Sequence, residues 1–412
     1  MNETDRRTFM KQSAGAMAAV ALLPELGLAR PVRLREPVVV GVIGAGRQGR
    51  AILGELQKME GVSIGAICDI DERRLDAGVR RSQGAEGFAD YRAMLDKRAD
   101  VKALVIATPT HLHRDIALAA LAAGRHVYCE TPLAHTVEDC QAIARAARGS
   151  SGVFHSGLQG RSNPVYKLAW TFFRSEAVRD PVAMRAQSNR KNSWRTPAPD
   201  PARDREFNWR LDPAVSLGLA GEQGTQQFDV FHWYLGAYPV RARGGGSIRL
   251  HADGREVYDT VHCGLDFESG VHLHYEATLA STYGGEYEVL HGTNASMWLA
   301  WTHGWMFKES DAPTQGWEVY ANRQRFHNDQ GITLIAEATK LAEQGKLQEG
   351  IGLPNAPLYY ALGDFLRSVS ESAPVVCGAD EGARASIVGI MANRAVVTGG
   401  TVEIDPAILR GG

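Results

Sequence analysis

A glycine-rich turn between an apolar strand and a helix constrains the fold of this chain more than any other feature. Residues 37–43 form a continuous apolar run, as parallel strands do when both of their faces are buried. Residues 50–59 then repeat apolar side chains at helical spacing. A Gly-x-Gly-x-x-Gly turn in this context lets a pyrophosphate approach the backbone and the N–H groups that begin the helix. We predict that this turn binds a dinucleotide through residues Gly44, Gly46, Arg47, Gln48 and Gly49.

The second predicted strand, 62–68, ends in an acidic residue that bears on the choice of cofactor. Asp69 lies 20 residues after Gly49, where a carboxylate can accept hydrogen bonds from both ribose hydroxyls. This favours NAD. Arg73 and Arg74 follow closely and could instead hold a 2′-phosphate, so NADP stays an alternative. Asp69 could also serve only as a helix N-cap.

Further strands and helices alternate along the first half of the chain. Strands are predicted at 101–107, 126–129 and 152–156, and helices at 114–123 and 137–148. This alternation is typical of a doubly wound parallel sheet, which binds ligands at the carboxyl ends of its strands. The remaining predicted cofactor contacts follow those strand ends: Thr108, Pro109, His111, His113, Glu130, Thr131 and Gln159.

Length and composition exclude several other classes of protein. The chain has 412 residues, enough for two or three domains. Hydrophobic residues make up 44% of the chain and charged residues 22%, which indicates a globular fold. Lys and Arg number 45 against 47 Asp and Glu, so the basic excess of a nucleic-acid-binding protein is missing. The five cysteines form no C-x-x-C pair, which argues against a disulfide scaffold or a zinc ribbon. We expect no metal site.

The N-terminal 30 residues have the pattern of an export signal. Arg6 and Arg7 precede an apolar run at 14–23, and small residues follow near Ala29. The run is too short for a membrane span, and no longer one occurs elsewhere. We predict a twin-arginine signal peptide that exports the folded protein to the periplasm or another extracytoplasmic space. An ordinary N-terminal helix with a chance arginine pair is the alternative.

Four segments of the sequence resemble the glucose–fructose oxidoreductase/inositol dehydrogenase (Gfo/Idh/MocA) family. They are GVIGAGRQG, ALVIATPTHLH, GRHVYCETPLAHT and GEQGTQQFDVFHWYLG. The resemblance implies an α/β fold: an N-terminal Rossmann domain with a doubly wound parallel sheet, and a C-terminal α/β domain with an open, mostly antiparallel sheet. One sheet face would close the active site and the other would join copies of the chain in a homo-oligomer. The expected division is signal peptide 1–30, Rossmann domain 36–156, substrate and oligomerisation domain 157–350, and C-terminal helices 355–400 packing back on the Rossmann domain.

Two departures from the family pattern affect the expected chemistry. The family usually has Glu-Lys-Pro where this chain has Glu130-Thr131-Pro132, and that lysine normally assists proton transfer. Threonine cannot carry a charge or act as a base near neutral pH. The family also tends to place Asp and His four residues apart where this chain has Glu222 and Gln226. The usual lysine and histidine are therefore replaced.

Other polar residues are candidates for the missing chemistry. A helix is predicted over 221–236, with Glu222, Gln226 and Asp229 on one face among aromatic residues. Buried polar groups on such a helix need partners or a ligand, so Glu222 and Gln226 are catalytic candidates. Lys191 and Tyr283 are further candidates, although Lys191 could be a solvated loop residue and Tyr283 falls in a turn. Predicted substrate contacts are Arg161, Tyr166 and Asp229, of which Asp229 could equally be structural.

Three functions are consistent with the sequence. The first is an exported NAD(P)-dependent oxidoreductase that transfers hydride between nicotinamide and a hydroxyl-bearing carbon of a sugar or polyol. The second is a redox-neutral NAD-dependent glycosidase, acting by transient oxidation and elimination, as some relatives do. The third is a sugar-binding protein that kept the fold without catalysis. In each case the partner is a small carbohydrate, with no nucleic acid and no membrane span.

Overall fold

The computed structural model describes residues 31–410 apart from 327–328, 337, 339–340 and 342–343. The predicted signal peptide, 1–30, lies outside the described residues. Within them, no helix combines the length and the apolar character needed to cross a membrane.

The first half of the chain forms a parallel sheet with helices packed around it. Its strands are β1 (Arg33–Ile43), β2 (Glu60–Cys68), β3 (Glu86–Phe88), β4 (Ala103–Ile106), β5 (His126–Cys129) and β6 (Phe154–Ser156). The strand order is β3-β2-β1-β4-β5-β6, and every pairing is parallel. The connecting helices are α1 (Arg47–Leu56), α2 (Glu72–Arg81), α3 (Tyr91–Lys97), α4 (His113–Ala122) and α5 (Val137–Arg148). The predicted doubly wound parallel sheet is confirmed.

The second sheet has ten strands in the described part of the chain and is mostly antiparallel. Its strands are β7 (Pro181–Asn189), β8 (Arg241–Ser247), β9 (Thr260–Asp266), β10 (His272–Thr278), β11 (Glu286–Gly292), β12 (Ala295–Ala300), β13 (His303–Lys308), β14 (Arg323–Arg325), β15 (Gln330–Thr333) and β16 (Thr401–Glu403). The order is β14-β15-β13-β12-β11-β7-β10-β9-β8-β16, and only β7 with β10 is a parallel pair among the described strands. Strand β10 alternates buried and accessible residues, so one face packs on helices and the other is open. The predicted open sheet is confirmed.

Further helices follow the parallel sheet along the described part of the chain. They are α6 (Pro164–Phe173), α7 (Asp204–Phe207), α8 (Gly218–Glu222), α9 (Gly224–Leu235), α10 (Pro357–Glu371), α11 (Ala379–Thr398) and α12 (Pro406–Arg410). Short 3-10 turns occur at Thr110–Leu112, Gln159–Ser162, Pro201–Arg203, Trp209–Leu211, Gly316–Tyr320 and Leu347–Gly350.

The C-terminal helices pack against the Rossmann domain. Leu362 and Phe365 of α10 are fully buried in one apolar cluster with Val40 of β1. The Tyr359 hydroxyl accepts a hydrogen bond of 2.6 Å from the Val32 N–H. Helix α11 reaches the same domain, because the Leu133 N–H donates to its Ser386 hydroxyl at 2.8 Å. The chain therefore returns to the Rossmann domain before it adds the last strand, β16, to the second sheet.

The prediction of one continuous helix over 221–236 is wrong at its start. Helix α8 ends at Glu222 and α9 begins at Gly224, so the two flank a break at Gln223. A side chain at Gly224 would come within 2.6 Å of the Phe228 ring, so the glycine permits close packing after the break. The predicted end is confirmed, since Gly236 closes α9 in the left-handed region at φ 67°.

Substitution Tyr359→Phe tests the docking of α10. It leaves the buried Val32 N–H without its partner, and we expect the free energy of unfolding to fall by about 1–3 kcal/mol. Urea denaturation followed by circular dichroism measures the change. Tyr283→Phe is the control, because Tyr283 is 88% exposed. Equal stability of the two variants would contradict the prediction.

Candidate active site

The glycine-rich turn folds tightly against the ends of β1 and β4. Gly44 has φ 97°, and a Cβ atom there would lie 2.6 Å from the Ala107 carbonyl oxygen. A Cβ atom on Gly49 would lie 1.8 Å from the Gly44 carbonyl oxygen. No other residue fits either position without moving the backbone. The turn therefore brings the N-terminus of α1 against the end of β1, as a phosphate-binding loop requires.

Asp69 lies beside this turn. Its carboxylate accepts hydrogen bonds from the Ala45 N–H at 2.7 Å and the Asp71 N–H at 2.9 Å. Burial raises the pKa of Asp69, while these two N–H groups and the Arg74 guanidinium act to lower it. The alternative role as a helix N-cap is wrong, because Asp71 caps α2 by accepting from the Arg74 N–H at 3.0 Å.

Glu130, at the end of β5, is connected to the same turn. The Gln48 side chain donates to its carboxylate at 2.9 Å, which joins the start of α1 to the end of β5. Burial raises the pKa of Glu130 to about 7, although the hydrogen bond from Gln48 opposes the shift. The structure thus places Gln48 and Glu130 together, as the sequence predicted for two residues around one crevice.

The side-chain amide of Gln226 connects the second domain to the Rossmann domain. It donates to the Thr131 hydroxyl at 2.9 Å and to the Gly157 carbonyl at 2.7 Å. Its oxygen accepts from the Gln159 N–H at 3.1 Å. Thr131 and Gln226 occupy the positions where the family pattern has lysine and histidine, and the two are in direct contact. A neutral hydrogen-bonded pair therefore replaces two groups that can carry protons.

Glu222 is a buried carboxyl at the same edge. Its side chain is 4% exposed and accepts from the Thr110 hydroxyl at 3.1 Å. The Arg210 guanidinium lies 4.0 Å away. Burial raises the pKa of Glu222, and Arg210 acts in the opposite direction. A carboxyl in these surroundings can take up or release a proton nearer to neutral pH than an exposed one.

The segment after β4 contains both structural and unpartnered polar groups. The His113 ring lies between the carbonyls of Pro132 and Thr108, each 2.9 Å away, and burial lowers its pKa to about 4. His113 therefore holds the two loops together, and the prediction that it contacts the cofactor is corrected. By contrast, the Thr108 hydroxyl and the His111 Nδ1 are buried without a hydrogen-bond partner. Pro109, which is half-buried, leads into the Thr110–Leu112 turn.

Three side chains that were predicted to contact substrate bond to other residues of the protein. Tyr166 is fully buried and its hydroxyl donates to Glu288, so the structure contradicts a substrate contact there. Arg161 and Asp229 form a two-bond ion pair of 2.8 and 2.9 Å, with Asp229 1% exposed. This pair has a structural geometry, which supports the structural alternative for Asp229 and engages Arg161 with Asp229 instead of substrate.

Two catalytic candidates lie at the surface. Tyr283 is 88% exposed in the turn before β11, so its predicted position in the cleft is wrong. Lys191 is exposed in the loop after β7. Among the catalytic candidates, the structure brings Glu222 and Gln226, but not Lys191 and Tyr283, to the carboxyl edge of the parallel sheet.

Sequence reasoning missed the residues that the second domain places over this edge. The Trp209 ring lies 5.8 Å from the His111 ring, and the Arg210 guanidinium lies 4.3 Å above Trp209. The signal in the sequence was the mixture of arginine and aromatic residues in REFNWRL, which can form cation–π contacts.

The fold and this edge define a two-domain dinucleotide-binding protein, and the comparisons with known proteins agree. A family model described as oxidoreductase family, NAD-binding Rossmann fold matches residues 38–158. A model of the GFO/IDH/MocA C-terminal domain matches residues 175–298. The two matches together span more than half of the chain. The chain belongs to the GFO/IDH/MocA oxidoreductase family, which confirms the resemblance seen in the sequence.

Individual relatives include proteins with different names. A glycosyl hydrolase family 109 protein of Shewanella amazonensis is 29% identical over 52% of this chain and 54% of the relative. Inositol 2-dehydrogenase 2 of Saccharopolyspora erythraea is 29% identical over 60% of this chain and 68% of the relative. The aligned part is thus about half of the first relative's length and about two thirds of the second's.

Solved structures share the fold at lower sequence identity. Levoglucosan dehydrogenase in complex with NADH and levoglucosan has a TM-score of 0.71 at 20% identity, covering 90% of this chain and 100% of that chain. An oxidoreductase domain protein from Kribbella flavida also has a TM-score of 0.71, at 19% identity over 90% of this chain. These likenesses concern the fold alone.

The residues present fit the NAD that this Rossmann fold binds. The glycines at 44 and 49 let the start of α1 approach the end of β1 closely, and Asp69 stands beside this turn for the ribose. The unpartnered Thr108 hydroxyl and His111 Nδ1 supply polar atoms further along the same edge. The predicted NAD-binding Rossmann domain is confirmed.

Substitution Glu130→Gln tests the burial of this carboxyl in the nucleotide-free protein. The pKa of Glu130 rises from 4.5 to about 7 on folding, so folded protein binds more protons than unfolded protein between these values. Its contribution to stability is therefore complete below pH 4.5 and is lost as pH rises through about 7. We expect the variant to gain up to ~3 kcal/mol on the wild type between pH 5 and pH 8.

Urea denaturation across this pH range measures the difference. Glu288, whose pKa burial also raises to about 7, is present in both proteins and cancels. Glu309→Gln, at an exposed position, is the control. Parallel stability curves for wild type and Glu130→Gln would show that the prediction is incorrect.

Proposed function

We propose that the chain is an NAD-dependent oxidoreductase that acts on a hydroxyl group of a sugar or polyol. The observation that carries this proposal is the buried Glu222, which faces the carboxyl edge beside the Gln226–Thr131 contact. It is the carboxyl that the second domain adds to the nucleotide-binding crevice at this point. The names of the relatives, which include inositol and levoglucosan dehydrogenases, support a polyhydroxylated substrate.

Different residues of this chain have different roles in the proposed reaction. When bound, the nicotinamide ring exchanges a hydride with the carbon that bears the reacting hydroxyl. Oxidation of that carbon also releases the hydroxyl proton, which Glu222 accepts in its ionised form. The Thr110 hydroxyl, 3.1 Å from the carboxylate, orients it, and Arg210 at 4.0 Å favours its charge. Gln226 and Thr131 position the loops and carry no proton.

A substrate panel tests the proposal. We expect purified protein with NAD⁺ and free sugars or polyols to form reduced nicotinamide, seen as near-UV absorbance, for at least one compound. Chromogenic glycosides in the same panel should release no leaving group. Leaving-group release without net formation of reduced nicotinamide would overturn the proposal in favour of redox-neutral glycoside cleavage.

Substitution Glu222→Gln tests the proton acceptor. The amide keeps the shape but cannot take the proton, so we expect kcat to fall by about 10²–10⁴-fold. NADH affinity, measured by fluorescence, should stay within about twofold, because Glu222 contacts no residue of the glycine-rich turn among its described hydrogen bonds. Glu276→Gln on the open sheet face is the control. Unchanged kcat in Glu222→Gln would assign the proton transfer elsewhere.

A second candidate function rests on the same site. We also propose redox-neutral cleavage of a glycoside as the alternative, because the Thr131–Gln226 contact replaces both groups of the usual dehydrogenase pattern. One relative is named as a glycosyl hydrolase family 109 protein. A sugar-binding protein without catalysis is the outcome if both signals of the panel are silent while a sugar still binds.

Two further proposals concern location and assembly. We propose export by the twin-arginine route, on the strength of Arg6, Arg7 and the apolar run at 14–23. We also propose that copies of this chain associate through the open face of the ten-stranded sheet. Partly exposed aromatic side chains that contact one another support this: Trp298, Trp305 and Phe326.

A further inference from the structure

Residues 201–211 of the second domain, here called the bridging segment, cross the carboxyl edge of the parallel sheet. The segment consists of a 3-10 turn, α7 and a second 3-10 turn. Near its start, the Arg203 guanidinium lies 3.6 Å from the Asp71 carboxylate, which follows β2. Near its end, the Trp209 ring lies 5.8 Å from the His111 ring, which follows β4. The segment thus contacts the Rossmann domain at two separated points.

The strand order fixes what lies between these two contacts. β2 and β4 flank β1 on either side in the sheet. A segment that reaches from the end of β2 to the end of β4 therefore passes across the end of β1, where the glycine-rich turn begins. A dinucleotide bound to a Rossmann fold runs along this same edge. The bridging segment consequently lies across the path of the dinucleotide.

Phe207 of the bridging segment contacts an arginine that adjoins the glycine-rich turn. The Arg74 guanidinium lies 4.3 Å from the Phe207 ring centroid, and that of Arg203 lies 5.0 Å from it. A Cβ atom on Gly46 would lie 3.9 Å from Arg74 Nη1, so this guanidinium adjoins the turn itself. Phe207 therefore holds a Rossmann arginine in place from the opposite domain.

The bridging segment has its own support within the second domain. Asn208 is 4% exposed, and its side chain bonds to the Thr196 N–H at 2.7 Å and the Thr196 carbonyl at 3.0 Å. It also donates to Asp204 at 2.9 Å. These bonds support the segment around α7 from within the second domain.

We propose that Phe207 and Arg203 are cofactor-retaining residues: they cover the adenosine half of the bound dinucleotide and slow its release. Phe207 acts through Arg74, and Arg203 acts through Asp71. Release then requires the bridging segment to leave both contacts with the Rossmann domain. The inference rests on NAD binding by the Rossmann fold and is independent of the sugar chemistry.

Release of NADH from the purified protein tests the proposal without any substrate. Energy transfer from tryptophan to bound NADH gives the dissociation rate after mixing with excess NAD⁺. We expect Phe207→Ala to raise this rate about tenfold, and Arg203→Ala to raise it severalfold. Arg205→Ala is the matched control, because this neighbouring side chain is 74% exposed and pairs with Asp212.

A double-mutant cycle separates retention from loss of structure. If Phe207 acts through Arg74, the effects of Phe207→Ala and Arg74→Ala on NADH release will not add. Additive effects would overturn the role assigned to Phe207. An equal rise in Arg205→Ala would show that the segment merely unfolds, and unchanged release in both Phe207→Ala and Arg203→Ala would overturn the proposal. Failure to find a sugar substrate affects none of these outcomes.

Discussion

The hydrogen bonds of one side chain, Gln226, connect α9 of the second domain to the loops that follow β5 and β6. Its amide joins α9 to the loop after β5 through Thr131 and to the chain after β6 through Gly157 and Gln159. Each such bond contributes only about 1 kcal/mol net, but an unpaired buried partner costs more than that. The bond to Thr131 therefore ties α9 to the Rossmann domain, and the bonds to Gly157 and Gln159 fix α9 against the chain that follows β6. They also use Gln226 for positioning, which is consistent with the proposed role of Glu222 in proton transfer.

The surroundings of these groups favour their neutral forms. Burial raises the pKa of Glu130 and of Glu222, and it lowers the pKa of His111 and of His113. The edge of the parallel sheet is thus a place where few full charges are stable without a partner. Such a site suits an uncharged polyhydroxylated substrate, which brings hydrogen-bonding groups and no charge to be desolvated. It also means that a proton taken up by Glu222 is held under conditions where an exposed carboxyl would release it.

The sequence predicted the first domain well because its signals are local. A buried strand, a glycine turn and an amphipathic helix each occupy a few consecutive residues, and the strands at 126–129 and helix at 137–148 match the structure. The second domain depends on distant partners. Strand β8 contains three consecutive glycines, at 244–246, which have low strand propensity, yet pairing with β9 makes them a strand. Tyr166 resembled a site residue, but its partner Glu288 lies 122 positions away and no local pattern reveals that pairing.

The bridging segment shows why the site could not be completed from the Rossmann motifs alone. Those motifs describe a surface that is open along its carboxyl edge, whereas Arg203, Phe207 and Trp209 close part of that edge from the other domain. A covered dinucleotide changes what limits turnover. If release is slow, it limits the turnover of an enzyme that must exchange each reduced cofactor for NAD⁺. The maximal rate of such an enzyme is then the same for every good sugar. An enzyme that returns the hydride within the site escapes this limit. With slow release, a kcat that is equal for different sugars therefore favours net oxidation. A kcat that varies with the sugar favours redox-neutral chemistry.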